Sequence, residues 1–495
     1  MENLLPNYLQ RELRIIYFIL GKDSTSISEI SKKFSISKRL VKHSIININS
    51  HFTDLLHKKF FIQSNNLGII SINPHYKKTS LLDVNTLKLK LLKENSLFKL
   101  CLILITNTSI SREKIIKNLY ISDIYLDKLI HSLRKYLLTY NIFIKSTKKV
   151  FYLTGEEIYI RIFSYIFLFT SFNEIEWPFD SLSKPFIEEK ISELNISSEI
   201  VSQNNPSLLY LYSIFYLRNS NGRILSRYIS IEEEYILNDI YQLLSEVNLD
   251  KKFNLNFSIN TNSVEINYFI FLLLLTSSDI LTSTLKKKLG SFFLNSNHPY
   301  CILTKNIMTI NLNKDISPEI TYYEKQIAYI LTITLIASYI MEEVAIHFIY
   351  LLTMDHIPYL DIKEKNTEYF SHFKERNKNI AIGKNQLFII SKLFQSSFFS
   401  QIKTNLQIFI KITKDISASE HINYKIHQLY NKESIKFTEN YEKADIIITD
   451  TLDSRIERTN IFYLDSINNI DAWNELLSLI TKEYLTKQNI LLNKK

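Results

Sequence analysis

One segment of this chain occurs twice, at a fixed offset of 85 residues, and that repeat limits the fold more than any other feature. "SISEISKKFSISKRLVKHSIININSHF" (26–52) aligns with "SREKIIKNLYISDIYLDKLIHSLRKYL" (111–137). Ser26 meets Ser111, Ile30 meets Ile115, Phe34 meets Leu119 and Ile36 meets Ile121. Further on, Ser37 meets Ser122, Val41 meets Leu126, Ile45 meets Ile130, Ile48 meets Leu133 and Phe52 meets Leu137. The apolar frame recurs while the residues between are free to differ.

Each copy carries the same local logic. Ser26 or Ser111 is placed to cap a short helix, and three residues after that helix Ser37 or Ser122 is placed to cap a second. Apolar residues recur along the second helix at helical spacing, so one face is committed to a core. Its other face carries Lys38, Arg39, Lys42, His43 and Asn47 in the first copy. In the second copy it carries Asp123, Lys128, His131, Ser132, Arg134 and Lys135. This is the helix-turn-helix pattern, whose second helix enters the DNA major groove. Behind each copy stands a β-rich run around a polar turn, "FFIQSNNLGIISI" (60–72) and "IFIKSTKKVFYLTG" (142–155), read as a hairpin or wing. Lys148 and Lys149 at the second tip suit phosphate contact.

Charge points the same way. Residues 1–150 hold 25 lysines and arginines against 10 aspartates and glutamates, a net of +15. The other 345 residues hold 34 against 40, a net of −6. A basic head on a faintly acidic body predicts a polyanionic partner for the head.

The rest reads as helix, then α/β. From "LTGEEIYIRIF" (153–163) to about residue 395 the spacing is helical throughout, with a break near "NSNHPY" (295–300) that suggests two helical domains. After it, strands (404–412, 434–439, 444–450, 460–466) alternate with helices (419–430, 470–485), which predicts a small, mostly parallel α/β domain. The longest apolar run, Ile327 to Met341, is shorter than the ~20 residues a membrane span needs. The N-terminus lacks a signal-peptide pattern, so a cytoplasmic chain without a membrane partner is expected. Two isolated cysteines, Cys101 and Cys301, and scattered histidines predict no metal site, no cofactor and no catalytic constellation.

Two winged helix-turn-helices, the "LTGEEIYIRIF" junction, a long helical middle and a terminal α/β domain resemble the Mga family of transcription regulators. That resemblance implies a mainly α, multidomain chain. Its domains would be winged helix-turn-helices at 1–80 and 81–156, helical phosphotransferase-system (PTS) regulation-like domains at 157–290 and 291–395, and an enzyme IIB-like α/β domain at 396–495. It further implies a virulence-type activator of promoter DNA that dimerises, or forms a higher oligomer, through the last domain. RNA polymerase and the general phosphocarrier of the PTS are its implied partners. Related members are tuned by histidine phosphorylation, for which His356 and His347 are the candidates here. The sequence departs from that pattern at two points. Arg223 stands where a histidine would be sought, and Thr413 to Asp415 stand where an active enzyme IIB carries its phosphocysteine. The alternative reading, a PTS component carrying phosphate in sugar uptake, needs a thiolate there. A third reading is a partner-binding protein whose helix-turn-helices contact other proteins.

Overall fold

The computed structural model describes residues 2–65, 68–193, 206–246, 261–276, 283–312, 322–348, 368–379, 382–399, 405–413, 418–451, 460–464, 466 and 468–493. They are mainly helical. They fall into two compact units, one with the N-terminal modules and the helical body, the other with the C-terminal sheet.

The first module is built from α1 (Asn7–Leu20), β1 (Thr25–Ser26), α2 (Ile27–Phe34), α3 (Lys38–Leu56), β2 (Ile62–Ser64) and β3 (Ile69–Ile72). After α4 (Ser80–Glu94), the same order returns as α5 (Ser96–Thr106), β4 (Ile110–Ser111), α6 (Arg112–Leu119), α7 (Asp123–Leu138), β5 (Phe143–Thr147) and β6 (Val150–Thr154). The four predicted serine caps all form. Ser26 and Ser111 accept from the amides of Glu29 and Lys114, and Ser37 and Ser122 from those of Leu40 and Tyr125. Each of these bonds satisfies a helix-terminal N–H that has no partner within its own helix.

Both hairpins gain a third strand that periodicity did not reveal. β1 pairs with β3 and β4 with β6, giving sheet orders β1-β3-β2 and β4-β6-β5. A two-residue strand carries no period-2 signal, so only the pairing exposes it. The offset contracts from 85 to 81 between the helices and the hairpins. The main cause is that α3 runs 19 residues and α7 only 16, nearly one turn less.

Gly155 makes the junction to the body. Its φ is +144°, and a Cβ there would lie 2.7 Å from the carbonyl oxygen of Asn141. Next comes α8 (Glu157–Phe172), buried almost all round, as a central helix must be. Phe163 lies 4.9 Å from Tyr140, and Phe167 stacks at 4.9 Å on Phe98, tying α8 to the second module. After it come α9 (Lys184–Ser192), α10 (Pro206–Ser220), α11 (Ile231–Glu246), α12 (Ser263–Thr276), α13 (Ser283–Asn295), α14 (Pro299–Leu312) and α15 (Tyr322–Met341). Arg161 of α8, fully buried, grips Glu265 of α12 with two bonds of 2.5 and 2.8 Å. Arg218 of α10 does the same to Glu157, at 2.5 and 2.7 Å. A buried charge persists only with such a partner.

Near residues 295–300 one helix ends and another begins, since α13 stops at Asn295 and α14 starts at Pro299. Yet packing runs straight across it. α13 crosses α15 so closely that a Cβ on Gly290 would sit 1.8 Å from the Lys325 carbonyl oxygen. One apolar core continues from Leu4 to Phe348 and takes in Ile389. Among the described residues, no helix is long and apolar enough to cross a membrane.

The C-terminal unit carries β7 (Leu406–Lys411), α16 (Ala418–Leu429), β8 (Ile435–Phe437), β9 (Ile446–Thr449), β10 (Ile461–Tyr463) and α17 (Ile470–Asn493). All four strands are parallel, in the order β10-β9-β7-β8. Ile408, Ile446 and Ile448 pack with Ile422, Ile426, Trp473 and Leu476 from the two helices. The strand order reverses between β7 and β9, the point where doubly wound sheets open a crevice at their carboxyl ends.

Candidate nucleic-acid interface

In each module the second helix lies with one face on the core and the other in solvent. Val41, Ile48 and Phe52 of α3 are buried, as are Leu126, Ile130, Leu133 and Leu137 of α7. Buried Glu12 of α1 fixes α3 from behind. It accepts from the Asn47 amide at 2.8 Å and lies 3.4 Å from the His51 ring. That carboxylate raises the His51 pKa above its ordinary value. Asn49 then binds Ile62 through both backbone groups, at 2.8 and 2.9 Å, and docks the wing.

The predicted contact residues of the first module lie where the helical spacing put them, with one difference. Ser37, Lys38, Arg39, Lys42 and His43 are all exposed. Asn47 is half-buried and turned toward Glu12, so its amide joins α3 to α1 rather than facing outward. The first turn of α3 therefore presents three cations and no carboxylate. A helix N-terminus carrying cations on its outward face suits phosphate oxygens and the acceptor edge of guanine.

The second module presents Ser122, Asp123, Lys128, His131, Ser132, Arg134 and Lys135, again all exposed. Arg134 also reaches the Ile144 carbonyl oxygen at a long 3.4 Å, at the position where Asn49 docks the first wing. Lys148 and Lys149 form the two-residue tip between Thr147 and Val150. Their φ angles are +49° and +63°, a turn that normally takes Asn-Gly. The Lys149 carbonyl oxygen accepts the Arg112 amide at 2.8 Å, so the wing tip is pinned beside the start of α6.

Sequence reading missed what surrounds Asp123. Arg112 donates to Asp123 at 2.6 Å and to Asp127 at 2.9 Å. Its guanidinium holds the Asp123 carboxyl below the usual range. Tyr120, Ile124 and Tyr125 meanwhile expose large apolar surfaces across the same turn, 94%, 73% and 45%. The signal was available in the offset itself, because positions 38, 39 and 42 correspond to 123, 124 and 127. Lys, Arg and Lys in one copy become Asp, Ile and Asp in the other.

Of the histidine candidates, His347 lies in the short helix Glu342–Phe348, half-buried, with its ring 5.4 Å from that of Tyr140. His356 lies outside the described residues. A cleft of about 350 Å³ between α11, α14 and α15 is lined by Glu232, Glu233, Tyr300, Tyr339 and Glu342, and among the described residues of its wall none is basic. At the crevice end of β7 the Thr413 amide and hydroxyl bond both oxygens of Asp450, at 3.0–3.3 Å. Lys414 and Asp415 lie outside the described residues.

A capped helix pair with an exposed second helix and a following hairpin defines a helix-turn-helix module. Residues 81–169 match the family model of the Mga helix-turn-helix domain, so the chain is a DNA-binding regulator carrying the domain of that family. The match covers the second module and continues into α8. No curated protein matches the chain.

Proposed function

We propose that the chain is a promoter-binding transcription regulator of the Mga type. It engages duplex DNA through both modules as winged helix-turn-helices, at 1–80 and 81–156. The observation that carries this is the duplicated, serine-capped helix pair, whose outward face in the first copy is cationic from Lys38 to His43. The contacts are Lys38, Arg39, Lys42 and His43 from the first module. Lys128, His131, Ser132, Arg134, Lys135, Lys148 and Lys149 serve from the second. Asn47 and Asp123 act inside their modules through Glu12 and Arg112.

The helical body reads as the regulatory portion and residues 396–495 as the dimerisation domain of a cytoplasmic activator that works with RNA polymerase. The phosphate-carrying alternative is less well supported. Asp450 fills the crevice end of β7 with a carboxylate, and no cysteine follows Cys301 to serve as nucleophile.

An electrophoretic titration against duplex DNA tests the reading. Affinity is expected to fall with salt at a log–log slope of roughly −0.9 per phosphate contacted. Absence of binding at 50 mM salt would overturn it.

A further inference from the structure

The two recognition-helix tips differ in chemistry, and the difference has a ligand-side meaning. In the first module the outward residues of the opening turn are Lys38, Arg39 and Lys42. In the second, the residues at the same places are Asp123, Ile124 and Asp127, and both carboxylates are engaged by Arg112. Asp123 and Asp127 are well exposed, at 64% and 63%, while the Arg112 side chain is 19% exposed and is held from both sides. The opening turn of α7 therefore contributes no cation from its own residues, and Arg112 beside it is engaged by the two carboxylates.

It offers apolar surface instead. Ile124 is the second residue of α7 and is 73% exposed, with Tyr120 and Tyr125 exposed on the same turn. A single exposed isoleucine is unremarkable on a protein surface. Three large apolar side chains within six residues, at the end of a helix that enters a groove base-first, are a different matter. In the major groove the apolar group that distinguishes one base from the rest is the thymine 5-methyl. Lys149 of the pinned wing stands near enough to act on the Asp123 carboxylate, so the wing, with Lys128 and Lys135 further along α7, supplies phosphate contacts beside this apolar turn.

We infer that Ile124 packs on a thymine methyl group and makes the second module the thymine-reading half of the site, while Lys38, Arg39 and Lys42 anchor the first half by charge. This rests on the DNA-binding function proposed above. The test uses the full-length protein and a duplex selected from random sequences for tight binding. Each thymine of that duplex is replaced in turn by deoxyuridine, which deletes only the methyl.

At one or two positions the wild-type protein is expected to lose about fourfold in affinity, the value of one buried methyl-sized group. Ile124→Ala should bind thymine and uracil duplexes equally at those positions, while Arg39→Ala lowers affinity but keeps the fourfold ratio. Ile124→Arg should also abolish the ratio and steepen the salt slope by about 0.9, as one added phosphate contact does. Two results would overturn the inference: a thymine-to-uracil ratio near one at every position for the wild type, or a ratio that survives Ile124→Ala. If the apolar turn instead seats a protein partner, one of these two results is what appears. Failure of every variant to bind any duplex at low salt is a separate outcome, and it would remove the DNA-binding reading itself.

Discussion

The two N-terminal modules share a skeleton and differ in almost everything that faces outward. Their caps coincide, their sheets have the same order, and Ile30, Val41, Ile48 and Phe52 have buried counterparts in Ile115, Leu126, Leu133 and Leu137. Burial restricts those positions, because a core tolerates little change in volume or polarity. The fold places no such limit on exposed positions. There the first module carries a cationic tip, while the second carries a tip of paired carboxylates and apolar surface with a tight lysine wing. Apart from a few exchanges in the core, the two copies part mainly where the fold leaves the side chain unrestricted.

The comparison can be broken first at the core. The first module closes on stacked Phe52 and Phe61, centroids 3.7 Å apart, and the second on the smaller Leu137 and Ile142. Phe52→Ala is expected to cost about 3–5 kcal/mol in urea denaturation, and Leu137→Ala toward the lower end of about 2–5. Equal costs would erase the distinction between the two cores.

Next in size is the charge difference. Replacing Lys38, Arg39 and Lys42 together by alanine should flatten the salt slope of DNA binding by about 2.7, three contacts at roughly 0.9 each. An unchanged slope would move the phosphate anchor away from α3.

The smallest effect concerns Glu12, whose place in the second module is taken by Leu97. Glu12→Leu leaves the half-buried Asn47 amide without its acceptor, at about 1–3 kcal/mol. It should also remove a pH dependence. The Glu12 carboxylate raises the His51 pKa in the folded protein, so its contribution is complete below the unfolded value near 6.5. That contribution is lost as pH climbs through the raised folded value. The wild type is therefore expected to lose stability as pH rises above about 6.5 relative to Glu12→Leu, read as a shift in urea midpoint. Parallel profiles would show that His51 and Glu12 are not coupled.

Much of the fold could be read in the chain because the signals are local. A serine three residues before the amide it caps, an apolar residue every three or four positions and a lysine pair between two β-rich runs all act within one turn of helix or one hairpin. The same holds for the C-terminal strands and helices, whose expected ranges contain or overlap those observed. The charge split and the exposed faces of α3 and α7 came from the same reading.

What the tertiary structure alone decided are the pairings between residues far apart in sequence. Asn47 reads as outward by helical spacing, but Glu12, 35 residues earlier, turns it inward. Asp123 reads as a free acid until Arg112 is brought beside it from another helix. The third strand of each wing, the packing of α13 on α15 and the meeting of Thr413 with Asp450 have the same origin. Periodicity assigns a side chain to a face of its own element. Which partner waits there depends on how chain segments fold back, and that follows from burying one common core.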